Sequence, residues 1–388
     1  MRKPERHRWF SPGSCHVILL LWILQALPAL AQHRFQASNL LFEPRANYGF
    51  LIAHHVEMEI YNSHFPSFEF SVSQATYGRQ RWEAFYNYPV TGITYWNAWL
   101  GNSKDLGQAH AMFPTISFPW VKSDRNELNF RVGAGLAYLT RKFDRIGNYK
   151  YTAIGSHLNA AINLMVEYRW KPVNYLQVSA GLQLMHFSNG STKTPNYGLN
   201  IPALSGGVAF RLNKENKYIR RRARPDLRMF EFDGKETIEM KIATTFAVKE
   251  IGDADGERYP VYSASVSALK NLGYKNKLGL CFDASWDGSD ALLVARTESE
   301  PSPAHKLTKP GISAAYEMVL SRLSFAFNFG FSLGGKDKSE GMTYYKAGIN
   351  YLITKNLTTN LTLKTHFARA DFVGIGLGYR FKGGNYLK

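Results

Sequence analysis

The stretch "LNAAINLMVEYRW", Leu158 to Trp170, reads with a period of two. Leu158, Ala160, Ile162, Leu164, Val166, Tyr168 and Trp170 fall on one face, and Asn159, Asn163, Glu167 and Arg169 on the other. Such alternation is the mark of a β-strand, because successive side chains point to opposite faces of the sheet. The same pattern recurs in "LSFAFNFGFSL", where Leu323, Phe325, Phe327, Phe329, Phe331 and Leu333 oppose Ser324, Ala326, Asn328, Gly330 and Ser332. A soluble sandwich also alternates, but its buried face seldom ends so regularly in aromatic residues. Long strands with an apolar face, aromatic ends and a small or polar opposite face are the pattern of a transmembrane barrel of the outer-membrane type.

The composition agrees. Aromatic residues make up 14% of the 388-residue chain, with 25 Phe, 22 Tyr and 8 Trp, and they are spread along it rather than gathered into helical spans. No segment after the N-terminus is apolar enough for a spanning helix, so a membrane form must be a closed barrel. Alternation and turn signals together predict about eight strands before Asn213 and about eight after Ile238. An all-β antiparallel barrel fold follows, in one of two forms. Only "ADFVGIGLGYRF" (Ala370 to Phe381), the last strand, looks like the closing strand of bacterial outer-membrane proteins. That favours a single barrel of roughly 12 to 16 strands, with two eight-stranded barrels in tandem as the alternative.

The front end reads as an export signal, residues 1–31. Arg2, Lys3, Arg6 and Arg8 precede the apolar run "VILLLWILQAL", and Ala29-Leu30-Ala31 offers small residues for cleavage before Gln32. Cleavage removes Cys15 and leaves Cys281, so no internal disulfide is expected. The expected segments are then 32–213, a basic linker at 214–237, and 238–388. The net charge of +17 includes "KYIRRRARPDLR" (Lys217 to Arg228). An exported chain meets little nucleic acid, so this run is read as a solvated linker or a contact for anionic lipid headgroups.

Chemistry concentrates in "LMHFSNGSTKTPNYGLN", Leu184 to Asn200. On the strand Tyr175 to Ser188, His186 and Ser188 continue the face of Leu176, Val178, Ala180, Leu182 and Leu184. That face meets lipid, where polar groups are costly. It is a sensible place for them if the substrate is itself a lipid. If the hairpin folds about Lys193, Asn200 comes opposite His186 on the outward side. A serine hydroxyl needs a base to become a nucleophile, and histidine can serve near neutral pH. Donors for an oxyanion are available around Asn189-Gly190 and at Asn196. Elsewhere His54-His55, His110 and His157 show no ligand spacing, and no metal or organic cofactor is expected.

"HFSNGSTKTPNYGLN" resembles the His-x-Ser-Asn…Pro-Asn-x-Gly motif of the PagL family of lipid A 3-O-deacylases, and of the related acyloxyacyl hydrolases of Bacteroidetes. The resemblance spans roughly Asn47 to Asn213, with "LGQAHAMFPTISFP" and "RVGAGLAYLTRKFD" also similar to the Bacteroidetes branch. It implies a Gram-negative outer-membrane esterase that removes a 3-hydroxyacyl chain from lipid A in lipopolysaccharide. Ser188 would be the nucleophile and His186 the base, with Asn189, Gly190 and Asn196 in the oxyanion region. Asn200 departs from the family, which has a glutamate there. An asparagine can orient an imidazole but adds no charge to stabilise the imidazolium. Family barrels have eight strands, and the resemblance does not account for residues 238–388. Two further readings stand beside the esterase: a non-catalytic barrel (channel, transporter or lipid-binding former enzyme), and a secreted soluble β-protein.

Overall fold

The computed structural model describes residues 39–78, 80–212, 238–252, 256–295, 307–335, 341–367 and 369–381. The expected signal segment, 1–31, and the basic linker, 214–237, lie outside the described residues.

Among the described residues, sixteen antiparallel strands form two closed barrels of eight. The first comprises β1 (Leu40–Phe50), β2 (His64–Ala75), β3 (Val90–Trp99), β4 (Gln108–Lys122), β5 (Asn126–Leu139), β6 (Leu158–Val173), β7 (Leu176–Ser188) and β8 (Leu199–Arg211). The second comprises β9 (Ile238–Glu250), β10 (Arg258–Asn271), β11 (Asn276–Asp287), β12 (Thr308–Leu320), β13 (Leu323–Ser332), β14 (Thr343–Leu352), β15 (Leu357–His366) and β16 (Arg369–Arg380).

Of the two forms that the sequence allowed, the tandem pair is observed and the single larger barrel is not. Strand β8 returns to β1, with Leu41 opposite Arg211 and Tyr48 opposite Leu204. Strand β16 returns to β9, with Ile375 opposite Phe246 and Arg380 opposite Lys241. The chain-end pattern misled for a physical reason. An aromatic closing strand at a C-terminus occurs once per chain, however many barrels that chain makes. The first barrel is closed simply by the register between β8 and β1.

Parity places the side chains as the alternation predicts. In β6, Leu164, Val166, Tyr168 and Trp170 are exposed, while Asn159, Asn163, Glu167 and Arg169 are buried in the lumen. In β13, Phe327, Phe329 and Phe331 face outward and Ser324 is buried. An apolar exterior around a polar interior is the reverse of a soluble barrel, and bilayer is the solvent that suits it. The strands run from 10 to 16 residues, enough for the roughly 9–11 that a tilted strand needs to cross the hydrocarbon.

Side chains and ion pairs occupy both lumens among the described residues. One end of the first barrel is packed with Met58, Tyr61, Trp96, Phe113, Tyr151, Phe187 and Leu199. Toward the other end, Arg45 Nη2 bonds Glu43 Oε1 at 2.7 Å and also pairs with Glu167. Arg169 Nη2 donates to Glu167 Oε1 at 2.8 Å and to Glu43 Oε2 at 3.1 Å. Arg131 Nη2 donates to Glu69 Oε2 at 2.6 Å. In the second barrel Lys277 lies 2.9 Å from Glu239, Lys346 2.7 Å from Asp283 and Lys249 2.8 Å from Asp371. Buried charges persist only when paired and hydrogen-bonded, and these are.

The barrels touch side by side with like ends together. At the end where β1 and β9 begin, the ring of Phe85 stacks on Tyr274 at 5.0 Å. There Tyr86 donates its hydroxyl to the carbonyls of Lys275 (3.1 Å) and Val319 (3.0 Å). Ile116 and Phe118 of β4 pack with Leu320 in the same region. At the opposite end the connections of the first barrel are mostly long (51–63, 100–107, 140–157 and 189–198), and that end carries the candidate site.

Candidate active site

His186 and Ser188 close β7 on its outward face, both half-buried, between the buried lumen residues Met185 and Phe187 and the loop that follows. Pairing with β8 sets His186 opposite Asn200, as the hairpin parity predicts. Pairing with β6 sets Ser188 opposite Ala160 and His186 opposite Ile162.

His186 Nδ1 lies 2.7 Å from Asn200 Oδ1. An amide oxygen can only accept, so Nδ1 carries the hydrogen and Nε2 is left with its lone pair, the form a general base needs. The amide nitrogen of Asn200 is in turn 3.4 Å from His54 Nδ1. His54 Nε2 is 2.8 Å from the Tyr197 carbonyl, which fixes its proton there and leaves Nδ1 free to accept. The Ile52 carbonyl also lies 3.2 Å from His54 Nδ1. His55 stacks on Tyr197 at 4.0 Å, and partial burial beside His54 holds it below the ordinary imidazole range.

The loop 189–198 is tightly organised. Asn189 donates its backbone N–H to Asn196 Oδ1 at 3.0 Å, and its side-chain nitrogen to Ser156 Oγ at 3.0 Å and to the Lys193 carbonyl at 2.9 Å. Asn189 is therefore a loop organiser, and its backbone N–H, expected as an oxyanion donor, is turned to Asn196. The Gly190 N–H and the side-chain nitrogen of Asn196 remain as the donors of the expected set. Gly198 has φ of +82°, and a Cβ on it would come within 3.0 Å of His186 Cε1. Glycine there lets the loop lie against the imidazole.

Within the expected set His186 and Asn200 are bonded, and Ser188 shares their face one pleat along. Two residues along a strand is about 6.6 Å of rise. No hydrogen bond joins Ser188 to His186 in this structure; in substrate-free sites such contacts are often long. No carboxylate among the described residues hydrogen-bonds His186.

His54 is the residue that the sequence reading passed over. It comes from the β1–β2 connection, brought in because Ile52 N donates to the Asn200 carbonyl at 2.9 Å where β1 meets β8. Of the other histidines weighed in the sequence, His110 Nδ1 meets the Tyr95 hydroxyl at 2.8 Å and His157 Nδ1 the Leu139 carbonyl at 2.7 Å. Cys281 is a free thiol buried with Leu269 and Ala315. Among the described residues no three His, Cys, Asp or Glu side chains converge to share a metal ion.

Residues 67–209 match the family model described as lipid A 3-O-deacylase (PagL), and residues 238–383 match the acyloxyacyl hydrolase C-terminal domain. Among solved structures the chain is similar to the outer membrane enzyme PagL, at 16% identity and TM-score 0.31, covering 42% of this chain and 97% of that one. It is similar also to a de novo designed transmembrane β-barrel, at 13% identity and TM-score 0.24 (38% of this chain, 98% of that one). The KdgM porin with disordered oligogalacturonate aligns at 6% identity and TM-score 0.18 (88% and 99%). No curated protein sequence matches the chain.

Proposed function

This chain belongs to the PagL lipid A 3-O-deacylase family, through its deacylase and acyloxyacyl hydrolase C-terminal matches, and on that premise we propose that it is an outer-membrane serine esterase of lipid A or a closely related acylated lipid. The observation that carries the proposal is the 2.7 Å contact between His186 Nδ1 and Asn200 Oδ1, on the same lipid-facing surface as Ser188. A soluble substrate has no reason to be met there.

The chemistry proceeds in two steps. Ser188 Oγ attacks the carbonyl carbon of the acyl ester while His186 Nε2 takes its proton. Donors at Gly190 and Asn196 receive the negative charge that develops on the carbonyl oxygen. Collapse breaks the ester C–O bond; His186 returns the proton to the departing sugar oxygen, and the acyl chain stays on Ser188. Water, deprotonated by His186, then releases the fatty acid. Asn200 fixes the tautomer of His186 through its dipole, with His54 holding the amide from behind. The acyl chains of the substrate would lie along the exposed Leu182 and Leu204, below the catalytic face. This mechanism needs no metal or organic cofactor.

The 140–157 connection at the same end exposes Arg141, Arg145 and Lys150, cations suited to phosphorylated lipid headgroups. Long connections belong on the outer side of such barrels, which favours the outer leaflet as the place of the site. The export signal read at residues 1–31 accords with that location. The channel alternative draws no support from lumens filled with side chains and ion pairs.

The test is mass spectrometry of lipid A incubated with detergent-purified protein beside a Ser188→Ala control. Loss of one 3-hydroxyacyl chain with wild type alone supports the esterase. Unchanged lipid with both folded proteins, across several lipid A species, rejects it in favour of a lipid-binding former enzyme.

A further inference from the structure

The second barrel makes no contribution to the triad, yet its rim reaches the loop that carries the oxyanion donors. Gly190 has φ of +61°, and a Cβ on it would fall 2.2 Å from Val373 Cγ2 on β16. Ser191 then meets the second barrel twice: its carbonyl accepts from Glu250 N at 2.9 Å, and its hydroxyl donates to the Ala370 carbonyl at 2.7 Å. The Glu250 carboxylate reaches back across the loop. Its Oε1 accepts from the Thr194 N–H (3.3 Å) and hydroxyl (2.9 Å), and its Oε2 lies 3.6 Å from Lys193 Nζ. Glu250 is 2% exposed at the last position of β9, so these bonds form out of bulk water, where they count for most.

We infer that the second barrel serves as a positioning partner for the nucleophile loop, with Glu250 as its anchor. The inference rests on the esterase reading for its catalytic consequence. Gly190 and Asn196, the two oxyanion donors, flank the anchored segment Ser191–Thr194. Pinning that segment to a rigid barrel fixes the separation of the donors before substrate arrives. Such preorganisation acts on the transition state, because the oxyanion exists only there. The acyl chain itself binds along β6 to β8, away from Glu250, so substrate affinity should be indifferent to the anchor.

The experiment compares Glu250→Ala with Glu250→Gln in the full chain, each checked for folding by its heat-dependent gel shift. The amide of glutamine keeps an oxygen for Thr194, whereas alanine removes both contacts. With lipid A as substrate, Glu250→Ala should lower kcat by about 10- to 100-fold, the usual cost of a displaced catalytic geometry, with KM within about twofold. Glu250→Gln should stay within about threefold of wild type. Thr194→Val, which removes one donor, is the second variant should Glu250→Ala fail to fold, and should lower kcat in the same sense. Amide hydrogen exchange over residues 189–195 reads the anchor without any turnover, and should quicken in Glu250→Ala. If wild type proves inert while exchange quickens, the esterase reading fails and the anchor stands. Equal kcat in an active wild type and Glu250→Ala, or equal exchange, overturns the positioning role.

Discussion

Asn200 Oδ1 lies 2.7 Å from His186 Nδ1, in the place where the family resemblance leads one to expect a carboxylate. The geometry of an orienting group is therefore kept while its charge is gone. Hydrogen bonding sets the tautomer of His186, but on the esterase proposal nothing bonded to Nδ1 would compensate the imidazolium that forms when Ser188 gives up its proton.

Restoring the charge should raise the rate. Asn200→Glu is expected to increase kcat/KM by about tenfold or more, and to move the acidic limb, where His186 becomes protonated and activity is lost, to higher pH. Asn200→Ala should lower it by about 100-fold. Full pH–rate profiles on a soluble ester in detergent micelles test both, and equal profiles for all three proteins would rule out an orienting role.

His54 should matter less, and only through Asn200. Its bond at 3.4 Å is long, so His54→Ala is expected to reduce kcat by about threefold to tenfold, the range of one weak neutral hydrogen bond. In the Asn200→Ala background the same change should have no further effect. The four kcat values form a double-mutant cycle.

Glu167 is buried in the first lumen and held by Arg45 and Arg169. Glu167→Ala leaves two guanidinium groups short of an anion and should destabilise the barrel by about 3–5 kcal/mol. Urea unfolding in lipid vesicles, followed by tryptophan fluorescence, measures it.

Asp290 begins a short helical turn, Asp290–Ala295, beyond the end of β11. Burial, with Asp287 adding to it, pushes its carboxyl up to about 7 against the pull of Lys309. Its folded value thus lies above the ordinary 3.8. Stability from the protonated form is complete below about 4 and is lost as pH rises through about 7. Thermal melts of wild type should fall across that window more than those of Asp290→Asn.

Filled lumens predict electrical silence. In planar bilayers the purified protein should show no stable single-channel conductance at any voltage that the bilayer survives. A steady ohmic step would revive the channel reading.

Much of this was legible locally. A period of two over Leu158–Trp170 sorts lumen from lipid residue by residue, because a strand offers only two faces. The same parity carried His186 and Ser188 outward, and one hairpin was enough to bring Asn200 opposite. What stayed hidden depends on pairings between distant segments. Whether β8 meets β1 or β9 is a choice of long-range register, and the local pattern of either strand is the same in both cases. His54 reaches Asn200 only through the β1–β8 seam, and Glu250 reaches Thr194 only because two barrels lie side by side. Neither residue stands in any motif around the serine.

An even number of strands returns the chain to the side from which it set out. Arg211 ends the first barrel, and Ile238 begins the second, at the rim opposite Ser188. Joining the barrels therefore required no segment to be threaded through the hydrocarbon, and the hairpins of neither had to be rerouted. Two barrels on one chain are also made in fixed one-to-one ratio, so the neighbour of the candidate site is supplied whatever the level of expression.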